Sequence, residues 1–191
     1  MLGVAGRPPH DSPPEEPLRL GVPRSPLQIN AAGLALAGLQ AGVLAGLIAL
    51  IYLMLDGAIR GHGLWSFANL VSATVYQGRA LSHSFRWATL VGMALHLIIS
   101  GIVGVGFAFI LRPFASRPAR NYLVGGCLGL VWYFAACRYL WPQVNPAIVI
   151  YQPFPGMLLA HLLYGLCMGR IARFAREIGP VGRQPEPEPF L

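Results

Sequence analysis

The stretch from residue 88 to residue 108 constrains the fold of this chain more than any other part. Every fourth residue in it is small or polar, while most of the others are large and apolar. Residues four apart share one face of an α-helix. The stretch therefore predicts a membrane-spanning helix with one flat face, which carries the only ionisable side chain of its interior: Ala88, Gly92, His96, Ser100, Gly104 and Ala108.

The rest of the composition points to the same solvent. Of 191 residues, 55% are hydrophobic and 11% are charged, whereas soluble domains carry roughly 25% charged residues. The apolar residues gather into four runs, each close to the length of about 20 residues that crosses a bilayer. The sequence predicts an all-α membrane protein with a four-helix transmembrane bundle, its spans near 31–55, 88–111, 121–140 and 156–172.

Three regions follow from these runs. Residues 29–176 form the transmembrane domain, and the proline-rich arm 1–28 and the tail 177–191 are predicted to be disordered. Between the first two spans, residues 66–76 predict a short amphipathic helix in the membrane interface, with Trp65 and Tyr76 at headgroup level. A re-entrant segment is the alternative interpretation.

The basic residues predict orientation. All are arginines, and ten of the 14 lie in the N-terminal arm, the connection after the second span and the C-terminal tail. By the positive-inside rule both termini are cytoplasmic. Arginines at helix ends suit lipid headgroups, so we expect a lipid bilayer as partner and no nucleic acid.

Small residues at steps of four occur in every span. Lipid gives helices little hydrophobic reason to associate, so close backbone approach over small residues is the main attraction between them. We expect these faces to pack against helices of this chain, of a second copy or of other membrane-protein subunits: Gly38, Gly42, Gly46, Gly92, Ser100, Gly104, Gly125, Gly129, Gly165 and Gly169.

The second and fourth spans resemble each other. Each contains a histidine followed by leucine, with glycine eight residues after the histidine (His96 and Gly104, His161 and Gly169). This predicts two tandem helical hairpins related by an axis along the membrane normal, with chance similarity as the alternative.

Ionisable side chains within spans are expensive and therefore suggest function. Here they are Asp56, His96, Arg138 and His161, which can converge toward one end of the bundle. For Asp56 and Arg138 we expect an ion pair at the membrane boundary. A partner one turn away, Arg60, is an alternative for Asp56, and a substrate or proton gate is the functional alternative.

The two histidines have three interpretations. A neutral imidazole can donate a hydrogen bond across a helix interface. Two imidazoles on different helices of a bundle can instead hold a cofactor, haem b or a related pigment, as axial ligands. Handling of a proton or substrate is the third. The three cysteines show no metal-binding spacing, so no metal site is predicted.

No catalytic motif accompanies these residues. Ser100 lies one turn from His96, but no acid orients that histidine, and phosphate-binding, zinc-protease and nucleophile-elbow motifs are missing from the sequence. We therefore predict a non-catalytic protein, an accessory or structural subunit of a larger membrane complex or homo-oligomer. A haem- or pigment-binding subunit using His96 and His161 and a small transporter are the alternatives.

One resemblance adds to this. The run from Leu140 to Pro146 and the run from Pro155 to Gly165 resemble small bacterial four-span membrane proteins of unknown function. The likeness covers roughly residues 30–175. It implies a four-helix fold in the bacterial inner membrane and brings no activity.

Overall fold

The computed structural model describes residues 31–80, 82–111, 118–152 and 154–170, and within these ranges the regular structure is entirely helical. A 3₁₀ turn occupies Gln77–Ala80, and a π-helical segment occupies Ala136–Leu140. The predicted all-α class is confirmed, while the arm 1–28 and the tail 177–191 lie outside the described residues. The helices are α1 Ala31–Ile59, α2 Ser66–Tyr76, α3 Trp87–Leu111, α4 Pro118–Ala135, α5 Trp141–Val144, α6 Pro146–Tyr151 and α7 Phe154–Met168.

Three helical stretches are long and apolar enough to cross a membrane: α1, α3 and the continuous run Ala119–Val144. The fourth apolar helix, α7, is shorter. Its 15 residues rise about 22 Å, less than the roughly 30 Å of a hydrocarbon core. The span predicted at 156–172 thus begins two residues earlier and ends at Met168, and residues 171 and 172 lie outside the described part.

Many large apolar side chains lie on the outer surface, where Ile102 and Leu123 are 64% and 69% exposed, whereas small residues such as Ala37 and Ala108 are completely buried. Water-soluble proteins rarely expose apolar surface of this extent. The outer surface therefore suits lipid, and the chain is an integral membrane protein.

The first hairpin pairs α1 with α3 through backbone contact. A Cβ atom built on Gly42 lies 2.8 Å from the Cα atom of Gly104, and one built on Gly38 lies 2.7 Å from the Cβ atom of Ala108. Ser100 fills the space beside Gly42 and Gly46. No side chain larger than hydrogen fits at these glycines without moving backbone.

The second hairpin pairs α4 with α7 in the same way. Gly165 packs between Gly125 and Gly129, and a Cβ on Gly169 lies 2.8 Å from the Cα atom of Tyr122. In the first hairpin, Ser100 lies between Gly42 and Gly46, four residues after His96. Gly165 lies four residues after His161, so the two hairpins share one contact pattern.

All ten residues of the predicted packing set thus contact helices of this same chain. The last of them, Gly92, lies against the carbonyl group of Ala68 in α2. Of the three kinds of partner that we expect for these faces, helices of this same chain are the ones that the structure shows.

The helix predicted at 66–76 is present as α2. A helix on the membrane surface is buried on one face, whereas α2 is buried on more than one. Six consecutive residues, 67–72, are buried. The polar side stays buried because its groups are bonded within the protein. Asn69 Nδ2 donates to the carbonyl oxygens of Ser82 and Ser84 at 2.6 and 3.0 Å, and Thr89 Oγ1 donates to Asn69 Oδ1 at 2.6 Å.

A single asparagine joins the connecting segments of the two hairpins. Asn145, at the start of α6, donates through Nδ2 to the carbonyl oxygen of Leu70 at 2.9 Å and to Thr74 Oγ1 at 3.1 Å. Both acceptors belong to α2. The short helices therefore close one end of the bundle, which we call the loop end.

Candidate functional site

A cavity of about 50 Å³ lies inside the bundle toward the loop end, and every one of the seven helices contributes to its wall. We call it the histidine chamber. Most of the wall is apolar, from residues such as Leu53, Val71 and Ile148. Its polar and large aromatic members are Phe67, His96, Ser100, Trp132, Trp141, His161 and Tyr164.

Both histidines line one chamber because they lie at similar distances from the loop-end starts of their helices. His96 lies nine residues into α3 and His161 seven residues into α7, or about 14 and 10 Å along helices that both start at the loop end. Each ring meets an aromatic edge at nearly the same distance, Phe67 at 5.6 Å and Tyr133 at 5.5 Å between centroids. The two sites are therefore similar in depth and in surroundings.

Their hydrogen bonds differ. His96 Nε2 lies 3.1 Å from the carbonyl oxygen of Gly46, so this bond joins α3 to α1. His161 Nδ1 lies 2.8 Å from the carbonyl oxygen of Met157, one turn earlier in the same helix. A carbonyl oxygen only accepts, so each of these nitrogens carries a proton. His96 makes the predicted cross-helix bond, whereas His161 bonds within its own helix.

One nitrogen of each ring remains as an acceptor, Nδ1 of His96 and Nε2 of His161. Both rings line the chamber. Neither of these two nitrogens is a fully buried atom that lacks a hydrogen-bond partner. A volume of about 50 Å³ holds one or two water-sized molecules. A haem between the rings requires the chamber to enlarge several-fold.

Tyr164 is a chamber residue that our sequence analysis missed. It is 5% exposed, and its hydroxyl group donates to the carbonyl oxygen of Ser100 at 2.5 Å, which joins α7 to α3. Its ring packs edge-on against Phe107 at 5.7 Å. Its position three residues after His161 puts it on the same helix face, a signal that was available in the sequence.

Asp56 and Arg138 lie outside the chamber, and the structure gives Asp56 a different partner from the predicted one. Arg60 Nε donates to both carboxylate oxygens of Asp56, at 3.0 and 2.9 Å. Arg60 is one turn along the same helix, so this pair forms without any approach between helices. The carboxylate also lies beside Gly156 in the first turn of α7, while Arg138 is exposed on the π-helical segment.

Within the described ranges, no three histidine, cysteine or acidic side chains come together as metal ligands. Comparison with protein-family models, with curated proteins and with solved structures finds no match to this chain. The resemblance to bacterial four-span proteins and the inner-membrane location therefore stay predictions, and function must be argued from the geometry.

Proposed function

We propose that this chain is a non-catalytic membrane protein that binds a small hydrogen-bond donor, of the size of one or two water molecules, in the histidine chamber. One observation carries the proposal. Two imidazoles from equivalent positions of two hairpins line one chamber, whose wall contains residues of all seven described helices, and the described hydrogen bonds engage only one nitrogen of each ring. Buried histidines in membrane proteins are commonly functional.

The wall of the chamber supports binding rather than catalysis. No carboxylate group belongs to its lining, so neither imidazole has the acid partner that orients a catalytic base. The protonated nitrogen of each ring is already engaged by a backbone carbonyl group. The rings are thereby held as fixed acceptors.

The opposite half of the bundle supports binding rather than passage of a solute. Beyond the chamber, α1 contacts α3 and α4 contacts α7 at glycine backbones with no intervening side chain. Transport by alternating access requires one half of a bundle to rock or open around the site. Tightly interlocked backbones oppose such a movement.

The accessory-subunit role remains compatible with this proposal, since a binding protein can serve a larger assembly. The ten small residues of the predicted packing faces contact helices of this chain, so these positions do not supply the contact with another subunit. The role then depends on other surfaces, such as the exposed aromatic residues of the loop end, which include Tyr139 and Tyr151.

Solid-state NMR of the protein in bilayers, with ¹⁵N-labelled histidine, tests the proposal. The variant His10→Gln, His62→Gln, His83→Gln retains only the two chamber histidines. We expect two neutral rings of opposite tautomer, with magnetisation passing from water to the unprotonated nitrogen of each.

Dry rings or two charged rings contradict the proposal. The absorption spectrum of the same sample separates it from the haem alternative. A Soret band that is lost on His96→Ala supports axial ligation, whereas a featureless visible region agrees with a chamber for small donors.

A further inference from the structure

A second and larger space opens on the side of the bundle at the loop end. It has a volume of about 410 Å³ and lies between the π-helical segment, α6 and the start of α7. We call it the lateral groove. Pockets of 300–1,000 Å³ are typical of bound small molecules. Two wall residues, Ile148 and Met157, also line the histidine chamber, so the two spaces are neighbours.

The groove combines an apolar floor with a single charge. Its lining includes Phe134, Val149 and Phe154, and Arg138 is the only charged residue among the described residues that line it. Two of its aromatic lining residues, Phe134 and Phe154, are 55% and 60% exposed, and Tyr139, the residue after Arg138 in the chain, is 75% exposed. Aromatic side chains of this kind concentrate at the level of lipid headgroups.

Arg138 has no counter-charge among the described residues. Asp56 is the only carboxylate side chain in the described ranges, and it already forms an ion pair with Arg60. No hydrogen bond or ion pair joins Arg138 to another described residue. A guanidinium group prefers a two-point contact with phosphate or carboxylate, so an anion complements this position.

The widened turn lies at the same place. Arg138 belongs to the π-helical segment Ala136–Leu140, as does Cys137, and both line the groove. Such single π turns interrupt α-helices rarely, and they are frequent at functional sites. Here the π turn coincides with the only charge in the groove.

We propose that the lateral groove binds one anionic phospholipid, with its phosphate group on Arg138 and an acyl chain against the apolar floor. Basic pockets between membrane helices are established binding places for anionic headgroups. The inference does not depend on the histidine chamber, because none of the chamber's polar residues is needed for it.

Native mass spectrometry of the detergent-purified full chain tests this inference. The probes are phosphatidylglycerol and phosphatidylcholine with identical acyl chains. We expect the wild-type protein to retain one phosphatidylglycerol preferentially and Arg138→Gln to reduce that retention at least fivefold. Arg86→Gln removes the same charge from an exposed position of the loop end outside the groove and is the matched control.

A second variant, Val149→Trp, narrows the apolar floor while keeping Arg138, and we expect it to lose the lipid as well. Equal retention of both lipids, or wild-type retention by Arg138→Gln, overturns the inference. Displacement by soluble glycerol phosphate as effectively as by lipid also overturns it, because the groove would then bind a free phosphate group. Thermal unfolding of each variant shows that the compared proteins are folded.

Discussion

The two halves of this bundle use the same helices for opposite purposes. In the half away from the loop end, which we call the glycine half, α1 contacts α3 and α4 contacts α7 through Gly42, Gly104, Gly125 and Gly165. In the loop-end half, residues of the same four helices line the histidine chamber. Small residues allow the close backbone contacts of the glycine half, whereas aromatic and imidazole rings border the internal space of the loop-end half. The same four helices therefore supply both the glycine contacts and much of the chamber wall.

The largest loss of stability is expected when a glycine at a helix contact is enlarged. We expect Gly104→Leu to lower the free energy of unfolding by more than about 3 kcal/mol, because even a Cβ atom there lies 2.5 Å from the Cα atom of Gly42. Gly165→Leu should have an effect of similar size in the second hairpin. Reversible unfolding in mixed micelles measures both.

The matched control for this prediction is two residues away on α3. A Cβ atom on Gly106 has open space around it, so Gly106→Leu should change stability by less than about 0.5 kcal/mol. Equal losses of stability at positions 104 and 106 would contradict the distinction between a glycine at a helix contact and a glycine on the outer surface.

The closure of the loop end is tested at Asn145. Replacement by leucine removes both bonds to α2 at a position that is 6% exposed. We expect a loss of about 1–3 kcal/mol, the usual result of leaving buried partners unsatisfied. The same unfolding experiment applies, and an unchanged stability would show that α2 and α6 are held by apolar packing alone.

The glycine half contains an asparagine in the opposite condition. Asn121 is 1% exposed, and neither atom of its amide group has a hydrogen-bond partner within the described ranges. Asn121→Leu has nearly the same shape and removes the unpaired amide group, so we expect a gain of about 1 kcal/mol. A loss of stability would indicate that this amide is bonded in the membrane-embedded protein.

A smaller effect is expected where the chamber joins the two hairpins. Tyr164→Phe keeps the ring contact with Phe107 and removes only the bond to the carbonyl oxygen of Ser100. We expect a loss of about 0.5–1.5 kcal/mol, measured against Tyr139→Phe, whose residue is exposed. If the two variants unfold alike, the hydroxyl group of Tyr164 does not contribute to packing around the chamber.

The smallest effect is expected at Asp56. Its pair with Arg60 spans one helical turn, with an exposed guanidinium and a partly buried carboxylate, and helical pairs of this spacing contribute about 0.3–0.5 kcal/mol. Asp56→Asn should therefore change stability by no more than that, and the small difference should vanish in 1 M salt. A larger loss would point to the contact with the first turn of α7 at Gly156.

The sequence predicted the glycine half far better than the loop-end half, for a physical reason. Close helix packing depends on residue size at steps of four, which is visible in a single helix. The partners of Gly42 and Gly125 were not predicted individually, but the faces that meet were.

The loop-end half depends on contacts between segments distant in the chain, which spacing does not reveal. Asn145 bonds residues more than 70 positions away, and the burial of α2 follows from polar bonds with residues after it. Asp56 and Arg138 were paired in the prediction because both are charges at span ends, yet a nearer arginine occupies the carboxylate. The lateral groove has no local signature at all.

The unequal bonds of the two histidines have a consequence for the chamber as a receptor. His96 offers Nδ1 and His161 offers Nε2, so two equivalent backbone positions present chemically distinct acceptors. A bound molecule with two different hydrogen-bond donors therefore meets an asymmetric site and binds in one orientation. The hydrogen bond of His96 joins two helices, whereas that of His161 lies within one helix. A substitution at His161 should therefore disturb the packing of the helices less than one at His96.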